Sequence, residues 1–329
     1  MRTILSILAA ASLCLAQEAT AEKLIEAGHW KRARSLVEQR LRAAPDEPEA
    51  IYLMSQIRAA FGDRTAPLEL AERAVRLNGG VARYHRQLAE VQGVMAQRAN
   101  LFQQALLARR FRKEIDVALS LDPRDAQALD DLVEFYLMAP AILGGDTNRA
   151  EGVARQIAAI DASAGFLASA QIAKIRKDAA RTEAMLRRAS EVRPPSYEAQ
   201  MALARFYLAP EYRDDAAAEA LGRRALGLDS GRAEAYCVLA ESYADRANWN
   251  ALDAALSSSV QAVPDDAAPY YRAAERLLSS GREPARAERY LHAYLAQEPE
   301  GNEPTAADAH RKLGLALRAQ GREADAERE

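Results

Sequence analysis

Ala118-Leu119-Ser120-Leu121-Asp122-Pro123 is an apolar helix end, then an acid, then a residue that cannot continue a helix. The 329-residue chain writes this phrase repeatedly. It recurs as Ala74-Val75-Arg76-Leu77-Asn78-Gly79, Ile157-Ala158-Ala159-Ile160-Asp161-Ala162, Ala189-Ser190-Glu191-Val192-Arg193-Pro194 and Ala225-Leu226-Gly227-Leu228-Asp229-Ser230. Shorter or looser versions end at Pro45, Pro264 and Pro299. The phrases close at positions 45, 79, 123, 162, 194, 230, 264 and 299, so the intervals are 34, 44, 39, 32, 36, 34 and 35 residues. A fixed period of this size marks a stack of small structural units.

Inside each interval two helices are legible. The first carries apolar residues three and four apart, as in Leu129/Leu132-Val133/Tyr136 and Tyr236/Leu239-Ala240/Tyr243, which puts one stripe on one helical face. A breaker follows, such as Gly28, Gly62, Gly281 or Gly321. The second helix holds a small residue, Ala33, Ala150, Ala287 or Ala326, where two helix axes must approach closely. Alanine favours helix, and the low aromatic content of 6% disfavours strands. One such hairpin cannot keep its apolar face dry, so hairpins must stack, and the end units must offer water a polar face. The helix Ala307–Gln320 is suited to cap the stack, with Arg322–Glu329 adding at most one turn.

These units resemble the tetratricopeptide repeat, on Gly-Xaa-Trp-Xaa-Xaa-Ala at Gly28–Ala33, Leu313-Gly314 with Gly321 and Ala326, and Leu-Asp-Pro at Leu121–Pro123. Pro67, Gly79 and Ser230 depart from the pattern. The resemblance implies an all-α fold, a right-handed α-solenoid of about eight hairpins over residues 17–329 with a C-terminal capping helix. It also implies that the first helices line a concave groove. Carried over position by position, that groove is lined by Tyr52, Gln56, Arg86, Glu90, Asp130, Glu134, Met201, Arg205, Glu241, Tyr271 and Glu275. Such a lining, with more acids than bases and two tyrosines, suits an extended or helical segment carrying some Lys or Arg. The Lys and Asn with which relatives clamp a C-terminal carboxylate are replaced here by Tyr52, Leu53, Gln56 and Gln87.

Two intervals are too long, and both surpluses fall at the turn inside a hairpin, near 93–112 and 139–146. Because the hairpins are adjacent, the two should emerge on one edge, formed by Arg98, Phe102, Arg109, Arg110, Leu143, Gly144, Gly145 and Asp146. Between Val94 and Lys113 there are five bases and no acid, interleaved with Leu101, Phe102, Ala105, Leu106 and Phe111. A basic amphipathic helix can lie on an anionic membrane or an acidic partner. The plainer reading is an elongated hairpin whose bases are solvated or paired with Glu114 and Asp116. Gly144-Gly145-Asp146 reads as a ligand loop or, more simply, as a turn in which Asp146 or Thr147 caps the next helix. Long-insert repeats with a Pro…Gly-Gly-Asp turn also resemble those of a group of exported bacterial repeat proteins.

Chemistry is sparse. A net charge of −3 and 28% charged residues give no polyanion binder by overall charge, so no nucleic-acid partner is expected. His29, His85, His292 and His310 lack ligand partners at metal spacing, and no phosphate loop or nucleophile elbow occurs. No catalytic residue, cofactor or metal is expected. Met1-Arg2, the apolar run Thr3–Leu13 and the small residues near Ala16 read as a signal peptide over 1–16, and so as export to the periplasm; a retained N-terminus would mean a cytoplasmic chain. The expected function is a non-enzymatic protein-interaction scaffold. Alternatives are a small-ligand-binding accessory of an envelope transport system, with a cavity near Ala139–Asp146, and an accessory to a catalytic partner on a separate chain.

Overall fold

The computed structural model describes residues 20–301 and 304–329, and every regular element in them is helical. The proposed signal peptide, with Cys14, lies outside the described residues. The helices pair as antiparallel hairpins: α1 (Ala21–Glu26) with α2 (Trp30–Ala43), α3 (Pro48–Ala60) with α4 (Ala66–Leu77), and α5 (Ala82–Gln97) with α6 (Leu101–Leu121). Next come α7 (Ala126–Met138) with α8 (Thr147–Ile160), α9 (Ala162–Ile175) with α10 (Ala179–Glu191), and α11 (Tyr197–Leu208) with α12 (Asp215–Leu228). The series closes with α13 (Ala233–Asp245) and α14 (Trp249–Ala262), α15 (Ala268–Ser279) and α16 (Pro284–Leu295), then α17 (Ala306–Ala319) and the single turn α18 (Glu323–Ala326).

Local chemistry sets these boundaries. Asp125, Asp146, Asp161, Asp178 and Asp214 each accept a backbone N–H of the helix that follows, satisfying donors that a helix start leaves orphaned. Gly28, Gly62, Gly281 and Gly321 turn the chain inside their hairpins with φ between +65° and +85°. Lys177 and Ala247 hold equivalent turns at φ 58° and 53°, where an L side chain costs roughly 1–2 kcal/mol. Ala33, Ala150 and Ala287 are fully buried at the hairpin crossings, where any larger side chain would force the axes apart.

Curvature follows from which helices meet. Odd-numbered helices touch across hairpins, α1 to α3, α3 to α5, α7 to α9, α9 to α11, α11 to α13, α13 to α15 and α15 to α17. Elements in contact across units lie on the inside of a bend, so the odd-numbered helices form the concave wall. The bend is tightest at α11–α15. There Arg276 of α15 pairs with Glu241 of α13 at 2.9 Å and reaches on to donate to the Leu208 carbonyl at the end of α11, at 2.8 Å.

The bend carries the chain through a full turn, and its first hairpin meets the loops on either side of α15–α16. Arg32 donates through two nitrogens to the Asp265 carboxylate, at 2.8 and 2.9 Å, and Arg34 does the same to Glu298 at 3.1 and 2.8 Å. Lys31 donates its backbone N–H to Glu300 at 2.8 Å and its ammonium to the Asp265 and Glu298 carbonyls. Two-point guanidinium–carboxylate pairs are the stronger kind of charged hydrogen bond. Partial burial works against the charge of Asp265, but hydrogen bonds from His29 and Arg32 outweigh it and hold the carboxyl far below its ordinary range. The bases sit at a turn inside a hairpin; the acids sit in loops between hairpins. The clasp therefore joins opposite edges of the solenoid.

Reversing one side of this clasp with Asp265→Lys is expected to open the turn. Small-angle scattering should show a larger radius of gyration at an unchanged helical circular dichroism signal, and adding Arg32→Glu in the same chain should recover part of the compactness. An unchanged radius for the single variant would show that the clasp does not hold the ends.

Candidate functional site

The predicted groove residues divide into two groups. Gln56, Arg86, Glu90, Asp130, Glu134, Arg205, Glu241 and Glu275 lie on the concave wall with solvent access. Tyr52, Met201 and Tyr271 do not line it: they are 6%, 2% and 3% exposed and belong to the core. The cause is a mismatch of one step around the helix. Tyr52 packs against Tyr84 of the next hairpin with ring centroids 5.1 Å apart, and Tyr271 packs against Tyr294 within its own hairpin at 5.2 Å, so both rings are spent on packing instead of facing a guest. Met201 is enclosed by the α11–α12 core.

Charge is unevenly spread along the wall. Toward the C-terminus the acids are matched: Glu241 with Arg276 at 2.9 Å, Glu275 with Arg272 at 3.0 Å and with Lys312 at 2.9 Å, and Glu234 with Arg205 at 2.6 Å. Around α5 and α7 they are not. Glu90, Asp130, Asp131 and Glu134 share one base, Arg86, which stands 3.9 Å from Asp131 and 4.0 Å from Glu90. Loss of solvent raises the pKa of Glu90, Asp130 and Asp131, and the carboxylates raise one another further; Asp131 is pushed up to about 7 despite the opposing pull of Arg86. One buried oxygen of Asp131 and the Nε of Arg86 have no hydrogen-bond partner among the described residues. Asp131 is absent from the lining that the resemblance implies, which carries over only Asp130 of the adjacent pair. It comes into play only because α5 brings Arg86 beside it.

A cleft of about 900 Å³ opens next to this cluster, and Glu90 belongs to both. Its walls are mainly apolar, with Pro67, Val91, Met95 and Leu107 among them, and it is bounded by Trp30 and by Glu300-Gly301 of the clasp. At the cleft, Gln87 donates to Ser55 Oγ at 3.2 Å, and Ser55 in turn donates to the Pro67 carbonyl at 2.8 Å. That relay fixes the amide's orientation and leaves Gln87 Oε1 a buried acceptor without a partner among the described residues. Neither Gln87 nor the closing loop could be assigned to a cleft from sequence, since the loop arrives only through the clasp. A second cavity of about 290 Å³ lies between α15 and α17, lined by Arg272, Glu275, Asp308 and Lys312 with the edge of Tyr271.

The two insertions have different fates. Arg98 and Leu106 face the cleft. Phe102 is 83% exposed, and Arg109 and Arg110 are also exposed. In the other insertion Asp146 accepts the backbone N–H groups of Asn148 and Arg149 at 2.8 and 3.3 Å, a helix cap as the plainer reading expects. Leu143 ends a short 3-10 turn, and Gly144 follows it at φ 103°. A Cβ on Gly145 would lie 1.8 Å from the Ala139 carbonyl, so the chain folding back on itself, not a ligand, accounts for this glycine. Cys237 is partly buried on α13, and burial pushes its thiol well up. Among the described residues, no group of three or more His, Cys, Asp or Glu is placed to hold a metal ion.

No family model matches this sequence, and no curated protein matches it. Solved structures do. The chain is similar to a thermophilic tetratricopeptide repeat protein of Thermus thermophilus, at 20% identity over 57% of this chain and 96% of that one, with a TM-score of 0.50. The fold is the tetratricopeptide-repeat solenoid. Two other similar structures are a tetratricopeptide repeat protein from Parabacteroides merdae (12% identity, 90% and 96% coverage, TM-score 0.43) and YrrB, described as having an unusual peptide-binding site (15%, 63% and 97%, 0.39). The repeat fold accounts for the placement of odd-numbered helices on the inside; the acidic cluster and the cleft are features of this chain's own residues.

Asp131 makes the cost of that cluster measurable. A carboxylate whose pKa rises on folding weakens the fold above its unfolded pKa near 3.8, by an amount that grows until pH passes about 7. Asp131→Asn is therefore expected to stabilise the protein at pH 8 by about 1–2 kcal/mol, with the gain fading by pH 4. Thermal melts of both chains across that range provide the check. A loss of stability at pH 8 would contradict the assigned environment.

Proposed function

We propose that this chain is a non-enzymatic scaffold that holds an extended or helical segment of a partner protein against the concave wall of its second to fourth repeats. The observation that carries this reading is the continuity of two unlike surfaces through Glu90. An apolar cleft adjoins a carboxylate cluster that the fold keeps at a cost in stability. A segment with an apolar anchor followed within a helical turn or two by Lys or Arg matches both. Its side chain would displace water from the cleft, and its charge would relieve the repulsion among Glu90, Asp130, Asp131 and Glu134. The general use of such grooves for peptide segments supports the same reading. The cleft is open at one side, which suits one side chain of a longer guest better than a small ligand enclosed on its own.

The apolar start of the chain adds export to this proposal, with the scaffold working in the periplasm. N-terminal sequencing of the protein recovered from the envelope should then begin at or near Gln17, whereas an intact Met1 would remove the export reading.

Fluorescence anisotropy with labelled peptides tests the groove. Peptides pairing Leu or Phe with Lys or Arg should bind, and Asp130→Lys with Glu134→Lys should weaken them roughly tenfold or more. Lowering the pH from 8 to 6 should weaken them as well, because Asp131 then gains a proton and loses its charge. Equal binding of acidic and basic peptides, or indifference to the double substitution, would sink the assignment.

A further inference from the structure

The hairpin α5–α6 stands out of the solenoid. Its interval is ten residues longer than the 34-residue period, or about five extra residues on each helix, which at 1.5 Å per residue lifts its tip about 7 Å above the neighbouring turns. The tip is apolar and unprotected: Leu101 is 85% exposed and Phe102 83%. On the same outward face of α6, Phe102, Arg109 and Lys113 follow at helical spacing, with Arg110 beside them. The face thus begins with an aromatic and an aliphatic side chain and ends in three cations, about 10–16 Å further along the axis. The adjacent hairpin adds Met138 at 62% and Ile142 at 92% exposure, from the turn that packs beside α6.

The cations of this face have no acid to answer among the described residues. Glu114 is taken by His85, at 2.7 Å, and Asp116 by Arg112, at 2.9 Å. Of the five bases between Val94 and Lys113, only Arg112 forms an ion pair among the described residues. Elsewhere arginines are matched repeatedly, as in the clasp and along the C-terminal part of the wall. An acid-free protrusion with apolar side chains at its end and unpaired bases behind them is complementary to a layered surface, apolar inside and anionic outside.

We propose that this edge docks on an anionic lipid surface. Leu101, Phe102 and Ile142 enter the boundary between headgroups and acyl chains, and Arg109, Arg110 and Lys113 lie at the level of the lipid phosphates. The 7 Å lift matches the 5–10 Å depth at which interfacial helices sit, and each base near an anionic surface adds to the attraction. Protruding side chains distinguish this surface from the concave groove, which stays open to a peptide while the edge is engaged.

Co-sedimentation of the full chain with vesicles tests it, using phosphatidylcholine alone or mixed with phosphatidylglycerol. The wild-type chain should bind the mixed vesicles and not the neutral ones, and its binding should fall as salt is raised from about 0.05 to about 0.5 M. Leu101→Ser with Phe102→Ser, and separately Arg109→Glu with Arg110→Glu, should each lower the partition coefficient about tenfold or more. Circular dichroism and the melting temperature should stay at wild-type values, since all four side chains are exposed. The apolar N-terminal stretch is common to all these chains, so binding carried by it would ignore both substitutions; that result overturns the proposal. So does equal binding to neutral vesicles. A chain left in the supernatant with both lipids, whose recovery of a protein partner is nevertheless lost in the variants, would make the edge a protein-docking surface and also overturn it.

Discussion

Close contact between the first helices of successive hairpins is the constraint from which the rest follows. Buried alanines narrow the hairpins, and, at every junction except that of α5 with α7, a first helix is pressed against the next by side chains such as Leu239, Tyr243, Ala273, Ala274 and Leu277. Among the described residues the second helices have no matching contacts across hairpins, so the stack can only bend toward the first. Without that bend, Arg32 would not reach Asp265, a residue 233 positions away, and the cleft would lose the wall made by Glu300 and Gly301. Interior packing is stiff, so a small inclination at every interface adds up to a defined turn rather than a loose coil.

Along the inside of that turn, the protein treats charge in two ways. In the C-terminal part the acids have bases opposite them, and Arg276 serves both a carboxylate and a distant carbonyl. Around α5 and α7, four acids crowd one arginine, and Asp131 is driven to about 7. A fold selected only for stability would replace such a group, because ionising a carboxylate shielded from water and close to its own kind is unfavourable. Its position beside the apolar cleft gives the destabilised site a use: a cationic guest would supply the missing charge.

The outside edge follows another logic. Turns inside the hairpins are short where glycine can take a left-handed conformation, and the hairpins α5–α6 and α7–α8 are the two whose intervals most exceed the 34-residue period. One departure, at Ala139–Asp146, is largely a folded-back turn held by a cap and a close backbone approach. The other lifts unpaired bases and bare apolar side chains away from the body, leaving groove and edge to face different directions.

Much of this is legible in the sequence. A period near 34, apolar spacings of three and four, glycine breakers and closing prolines are local properties, each governed by residues within one turn of the chain, and they determined the hairpins, their stacking and the place of the insertions. The same local reasoning identified Asp146 as a cap, while the wall residues Arg86, Glu90, Asp130 and Glu134 came from the family resemblance carried over position by position. It failed at Tyr52, Met201 and Tyr271, because a rotation of one residue about a helix axis moves a side chain from wall to core, and the spacing alone does not resolve that step. The clasp, the cleft, the isolation of Arg86 among acids and the raised pKa of Asp131 depend on groups tens or hundreds of residues apart. Those were decided only when small inclinations accumulated over eight hairpins into a complete turn, a sum over many interfaces that no single stretch of sequence records.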